Sequence, residues 1–174
     1  MDQIAMITGA TSGIGEASAH TLAKLGYQLI ITGRRADRLE LLKQSIIKAY
    51  GVEVRTLHFD IRNNADTEAA WKSLPEAWQQ VGLLVNNAGL AAGMGPIDTG
   101  KWEHWEQMID TNVKGLLFIS RLVIPQMVAR KQGQVVNISS IAGKEVYENG
   151  NVYCASKHAV EAITKSMRID LLKH

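Results

Sequence analysis

Short runs of aliphatic and β-branched residues alternate along the chain with longer stretches in which apolar residues recur every three or four positions. That alternation predicts βαβ units and a parallel sheet. Strands are expected at Ile4 to Thr8, Gln28 to Thr32, Glu53 to Phe59, Leu83 to Asn86 and Gln134 to Ile138, bounded by Gly, Asp, Asn or Ser. Most of these runs lack polar–apolar alternation, as strands covered on both faces do. Ile14, Ala17, Leu22 and Leu25 mark the apolar face of a first helix, and Leu39, Leu42, Ile46 and Ile47 that of a second. Gly26 and Gly51 stand where these helices should stop. Asn63 is placed to cap a third helix running to about Val81, a fourth spans Trp102 to Lys131 with Pro125 as the place for a bend, and a fifth begins near Asn151 and still runs at His174. The expected architecture is one Rossmann-like α/β domain over residues 1–174, a doubly wound parallel sheet in three layers of order 3-2-1-4-5.

Composition narrows the function classes. With 46% hydrophobic residues in 174, the chain can fill one packed core, and a net charge of +2 calls for no nucleic-acid partner. A lone cysteine, Cys154, forms no internal disulfide, and the start MDQIAMITGA has neither a basic region nor a long apolar one, so a cytoplasmic location is expected. Apolar stretches such as Gly115 to Ile119 and Leu122 to Pro125 fall short of the roughly 18 residues of a spanning helix, so no membrane partner is expected. The five histidines show no H-x-x-x-H spacing, and no metal site is expected. Trp71, Trp78, Trp102 and Trp105 read as anchors of helices to the sheet or to a second subunit, and Cys154 as a packing residue.

Candidate chemistry begins directly after the first strand, where Thr8-Gly9-Ala10-Thr11-Ser12-Gly13-Ile14-Gly15 leads into a helix. Glycines there let the backbone turn tightly and approach a pyrophosphate, while the helix start offers unpaired N–H groups and the positive end of its dipole. At the end of the second strand, Gly33, Arg34 and Arg35 occupy the place where an NAD-selective site carries Asp or Glu. Arginine there pairs a 2′-phosphate, so NADP(H) is expected over NAD(H). Asp37 is placed to help the next helix begin. Asp60 and Ile61 follow the third strand, where Asp60 could equally accept from an adenine amino group or cap a turn.

On the last helix, Tyr153 and Lys157 stand at i and i+4 and so share a face. A phenol acting as acid or base near neutrality needs a neighbouring cation to lower its pKa, and Lys157 can supply it. Upstream, Asn137-Ile138-Ser139-Ser140 ends the fifth strand with hydroxyls suited to a substrate carbonyl oxygen, or simply to capping the next turn.

Taken in order, these segments resemble the short-chain dehydrogenase/reductases over the whole chain. Thr8 to Gly15 matches T-G-x-x-x-G-x-G, Asn86 to Gly89 matches N-N-A-G, and Tyr153 to Lys157 matches Y-x-x-x-K. Asn112 and Ser140 complete what resembles the family's Asn-Ser-Tyr-Lys tetrad, Ser140 being preferred over Ser139 for its spacing of thirteen to the tyrosine. The resemblance implies hydride transfer between a nicotinamide and a carbinol or carbonyl carbon. Tyr153 would exchange the proton, Ser140 would position the substrate oxygen, Lys157 would bind the nicotinamide ribose and lower the tyrosine pKa, and Asn112 would hold a proton-relaying water. It also places Asn87, Ala88 and Gly89 against the cofactor, and implies a homodimer or homotetramer through the fourth and fifth helices.

A narrower resemblance, to NADP-dependent 3-hydroxy acid dehydrogenases, rests on Leu74 to Trp78, Asn86 to Ala91 with Gly93 and Met94, Trp105 to Asn112, and Gly150 to Tyr153. It implies small substrates of the serine, L-allo-threonine or malonic semialdehyde type. A 3-oxoacyl carrier-protein reductase, a general carbonyl reductase, and a nucleotide-binding fragment without turnover are the alternatives. The family continues beyond its Tyr-Lys helix with further strands and a substrate cover, so the sequence reads as the N-terminal part of a longer reductase, of low stability and little activity by itself.

Overall fold

The computed structural model describes residues 3–174. Five parallel strands, β1 (Ile4–Ile7), β2 (Gln28–Gly33), β3 (Val54–His58), β4 (Val81–Asn86) and β5 (Gln134–Asn137), form one sheet in the order β3-β2-β1-β4-β5. The helices are α1 (Gly13–Lys24), α2 (Ala36–Tyr50), α3 (Asn64–Lys72), α4 (Trp102–Ile109), α5 (Leu116–Arg130) and α6 (Asn151–Asp170). The expected fold class and strand order are the observed ones. Because β1 is followed by a strand on one side and β4 lies on the other, the order reverses between β1 and β4, and the crevice at their carboxyl ends is where ligands of open α/β sheets bind.

Each face of the sheet carries its own core. Ala5, Ile7, Leu29 and Ile31 face α1 and α2, while Met6, Ile30, Leu84 and Val81 pack with Trp71, Trp78, Ile119 and Val123 on the side of α3 and α5. Ile7, Ile31 and Ile30 are fully buried, each worth about 1.5–3 kcal/mol of apolar transfer. Trp71 and Trp78 are core anchors, whereas Trp102 is 65% exposed and stacks edge-on with Trp105 at 6.0 Å.

Several expected boundaries move. The α1 face is not the one that apolar periodicity indicated: Gly15, Ala19 and Ala23 are buried, while Ile14 and Leu25 are 61% and 70% exposed. Close approach of helix to sheet selects small side chains there, and Ile14 turns toward the crevice instead. In α2, Leu39, Leu42 and Ile46 are buried and Ile47 is not, and Gly51 ends the helix at φ 71°. The third helix stops at Lys72 rather than running to Val81, because Pro75 interrupts it. A short 3-10 turn, Glu76–Gln79, and then β4 take over. Asn63 caps α3 as expected, its side chain accepting from Asp66 N at 3.2 Å.

The expected long fourth helix is divided, not at Pro125, which lies within the continuous α5, but by a π turn at Asp110–Gly115. Gly115 allows it: a Cβ there would stand 3.0 Å from the Ile61 side chain. α6 ends at Asp170 in a tightened turn, Leu172 N bonding to Ile169 O, rather than running to His174. α6 packs on α4, on the π turn and on a second short 3-10 turn, Ile141–Gly143, so residue 153 is brought to the carboxyl end of the sheet.

Candidate active site

A cleft of about 710 Å³ opens over the carboxyl ends of β1, β2 and β4. Its floor begins with the loop after β1. Gly9 has φ 65°, and a Cβ on it would stand 2.9 Å from Ala88 Cα, so only glycine lets the loop lie on the turn after β4. Thr8 and Asn87 hold that contact together. Asn87 N and Ala88 N donate to Thr8 Oγ1, and Asn87 Nδ2 donates to the carbonyls of Thr8 and Gly9.

α1 starts at Gly13 without a side-chain cap, since Ser12 Oγ accepts instead from Arg35 Nη2 at 3.0 Å. The first-turn N–H groups are thus left for a ligand, with the dipole favouring an anion. Arg35 also donates from Nε and Nη2 to Thr11 Oγ1, at 3.1 and 2.6 Å, which fixes a guanidinium at the rim beside the loop. Gly33 leaves room for this, because a Cβ there would meet Thr11 Cγ2 at 2.9 Å.

Arg34 is further out, its Nη1 3.7 Å from Asp60 Oδ2. Asp60 is held by Arg62: Oδ1 accepts from Arg62 N and Nε at 3.0 Å each, and Oδ2 from Nη2 at 2.6 Å. The Arg62 hydrogen bonds, followed by weaker effects including the charge of Arg34, hold the carboxyl below its ordinary value. Of the two roles expected for Asp60, the turn cap is therefore present within the chain itself.

At the other end, Tyr153 and Lys157 line the cleft from α6. Lys157 is 6% exposed, donates from Nζ to Ile138 O at 2.9 Å and lies 6.0 Å from the centre of the Tyr153 ring. Burial lowers its pKa. Asn112, in the π turn, is 1% exposed and acts as a strut. Its Oδ1 accepts from Leu90 N at 2.8 Å, and its Nδ2 donates to Leu90 O and to Ser156 Oγ. Ser156 Oγ in turn donates to Tyr153 O at 2.7 Å, so Asn112 reaches the tyrosine's own turn through one hydroxyl.

Of the residues expected at the cofactor, Gly9, Thr11, Ser12, Ile14, Arg34 and Arg35 line the cleft from one side. Asp60, Ile61 and the Asn87-Ala88-Gly89 turn line it as well, Asp60 beside Arg34 and Ala88 against Gly9. Ala10 and Gly15 are buried beneath the loop, where they shape it, and Gly13 keeps φ 58° at the helix start. Ser140 stands just outside the lining, its Oγ accepting from Ala142 N at 3.2 Å as the cap of the 3-10 turn, while Ser139 lines the cleft. Three contributors escaped sequence reasoning: Ser156, Arg62 and Thr111. Thr111 Oγ1 is buried at the cleft without a partner, a polar atom that a bound ligand can satisfy. Ser156 was signalled only by a hydroxyl between Tyr153 and Lys157, and Arg62 only by its place two residues after Asp60.

Comparison with known proteins fits this geometry. The family model for short chain dehydrogenase matches residues 3–174. A probable NADP-dependent dehydrogenase of Haemophilus influenzae is 48% identical over 167 residues, covering 96% of this chain and 65% of the relative. The NADP-dependent 3-hydroxy acid dehydrogenase YdfG of Salmonella typhi is 45% identical over 168 residues, covering 97% and 66% respectively. Among solved structures, the closed form of serine dehydrogenase complexed with NADP+ superimposes with a TM-score of 0.90 at 43% identity, covering 97% of this chain and 66% of that one. The chain thus spans just under two thirds of the length of the curated relatives it matches.

Proposed function

The chain belongs to the short chain dehydrogenase family, and from that premise we propose that it binds NADP(H) and interconverts the hydroxyl and carbonyl forms of a small 3-hydroxy acid. The observation that carries the reading is the cleft that joins the glycine loop and Arg35 at one end to Tyr153 and Lys157 at the other. The residues fit a phosphorylated dinucleotide. Free N–H groups at the start of α1 suit the pyrophosphate, the Arg35 guanidinium suits a 2′-phosphate, and the orphaned Thr111 hydroxyl awaits a polar neighbour.

The cofactor, when bound, supplies or accepts the hydride. Tyr153 gives its phenolic proton to the substrate oxygen or takes it back, with the buried Lys157 amine 6.0 Å from its ring centre. Ser140 keeps its hydroxyl hydrogen free to donate to the same oxygen, because its Oγ serves the 3-10 turn only as an acceptor. Asn112 keeps the α6 turn and the Leu90 segment in register. Exposed Trp102 and Leu117, on α4 and α5 of the expected fourth helix, and exposed Ile169, on α6, the expected fifth, supply apolar surface for the expected dimer or tetramer. A cytoplasmic setting belongs to the same reading, and no described helix is long and apolar enough to cross a membrane.

A substrate panel tests the proposal. With NADPH, malonic semialdehyde should be reduced at a kcat/KM at least ~10-fold above 3-oxoacyl thioesters and simple ketones, a difference of about 1.4 kcal/mol. Preference for the thioesters would replace the reading with a 3-oxoacyl carrier-protein reductase.

A further inference from the structure

The segment between β4 and α4, residues 87–101, contains no helix or strand, yet it supplies Leu90 and Ala91 to the cleft. Three helical segments pin it at three successive points. Asn112, in the π turn, takes both the N–H and the carbonyl of Leu90. The His104 ring, in the first turn of α4, fills the space where a side chain at Gly93 would lie, and Gly93 itself has φ 51°. Asn151, the first residue of α6, donates from Nδ2 to the carbonyl of Gly95 at 2.9 Å across 56 residues of sequence, while its Oδ1 accepts from Val152 N at 2.7 Å.

Asn151 therefore joins the irregular segment to the same helix turn that presents Tyr153, two residues further on. We propose that Asn151 is a positioning residue that, through its bond to Gly95 O, fixes the segment whose start, Leu90 and Ala91, lines the cleft, so that this wall is preset before substrate binds. The proposal rests on the reading of the cleft as a hydroxy-acid site. It assigns Asn151 no contact with cofactor or reacting atoms. A segment of this kind would otherwise sample many backbone states, and substrate binding would have to order it. Asn112 and His104 restrain its beginning and middle, Asn112 reaching α6 through Ser156, and Asn151 ties its far end directly to the first residue of α6.

The isosteric change Asn151→Asp separates this role from a simple part in starting α6. Aspartate keeps the acceptor for Val152 N and adds a negative charge favourable at a helix start, but turns a carboxylate oxygen toward Gly95 O. In the full chain, amide exchange of residues 91–95 should accelerate ~10-fold, as expected for one lost hydrogen bond. The global unfolding equilibrium should shift by no more than ~5-fold, about 1 kcal/mol of lost stability, because the charge at the helix start offsets part of the loss. The KM for malonic semialdehyde should rise ~10-fold, with kcat within ~3-fold and NADPH affinity within ~2-fold. Asn151→Ala, which removes the donor without the repulsion, should show the same pattern more weakly. Unchanged exchange and unchanged KM in both variants overturn the proposal. If the unmodified chain fails to turn over hydroxy or semialdehyde acids at all, the substrate reading falls, and amide exchange of residues 91–95 then decides the positioning role alone.

Discussion

At the α1 end the cleft is built largely from backbone, whereas at the α6 end it is built from side chains drawn from distant segments. Gly9, Gly13 and Gly15 shape the first end within a single strand-turn-helix, to which the neighbouring strands add Arg34, Arg35, the Asp60 cluster and the Asn87-Ala88 turn. The second end gathers Tyr153 and Lys157 from α6, Asn112 from the π turn, Leu90 from the segment after β4 and Ser140 from the end of β5. Local sequence can encode a binding surface made of N–H groups. A proton-transfer site needs long-range packing to bring its members into register.

That contrast can be broken at either end. The largest effect is expected at α6. Tyr153→Phe should lower kcat by ~10²–10⁴ while NADPH affinity, read by quenching or calorimetry, stays within ~2-fold. A large loss of affinity instead would mean that the two ends are not separable. Next comes Arg35→Ala, which removes the charged fork held by Thr11 and Ser12. Charge-assisted hydrogen bonds are worth about 1.5–3 kcal/mol, so NADPH should bind ~10–100-fold more weakly with NADH affinity unchanged. Equal losses for both cofactors would make Arg35 a loop brace and no reader of phosphate.

The smallest effect concerns pH. Arg62 holds Asp60 below its ordinary value of 3.8, so the folded state takes up that proton at lower pH than the unfolded chain. The stabilisation is present above the ordinary value and fades as pH falls through the lowered one. Urea midpoints of Asp60→Asn should therefore fall less steeply than those of the unmodified chain below the ordinary value. Parallel curves would remove Asp60 from the acid response.

Much of the first end was legible in the sequence. The glycine spacing, the Arg34-Arg35 pair and the helix stops at Gly26 and Gly51 act within a few residues, and each keeps its place in the structure. That the strands are parallel and covered on both faces was legible too, because the runs carry little polar interruption, and their order is that of a doubly wound dinucleotide fold. The packing of α1 was not, because apolar periodicity counts large side chains, and Ala19 and Ala23 become core only when a helix comes close to a strand. The π turn escaped for a different reason. Nothing in Thr111-Asn112-Val113 distinguishes it from ordinary helix, and its purpose, a clamp on Leu90 and a bond to Ser156, is visible only across 22 and 44 residues of sequence. Ser139 and Ser140 were separated by spacing alone, whereas the structure separates them by orientation, one lining the cleft and the other capping a turn.

The uncapped start of α1 links occupancy to folding. Ser12 Oγ accepts from Arg35 Nη2, and the helix forgoes a side-chain cap that elsewhere contributes about 0.5–2 kcal/mol. An anion seated on those N–H groups completes the helix end, and the ligand becomes, in thermodynamic terms, a part of the fold. At a concentration 100-fold above its dissociation constant such a ligand adds about 2.7 kcal/mol to stability. Under the proposed dinucleotide reading, heat resistance of the chain then gauges how much of that ligand surrounds it.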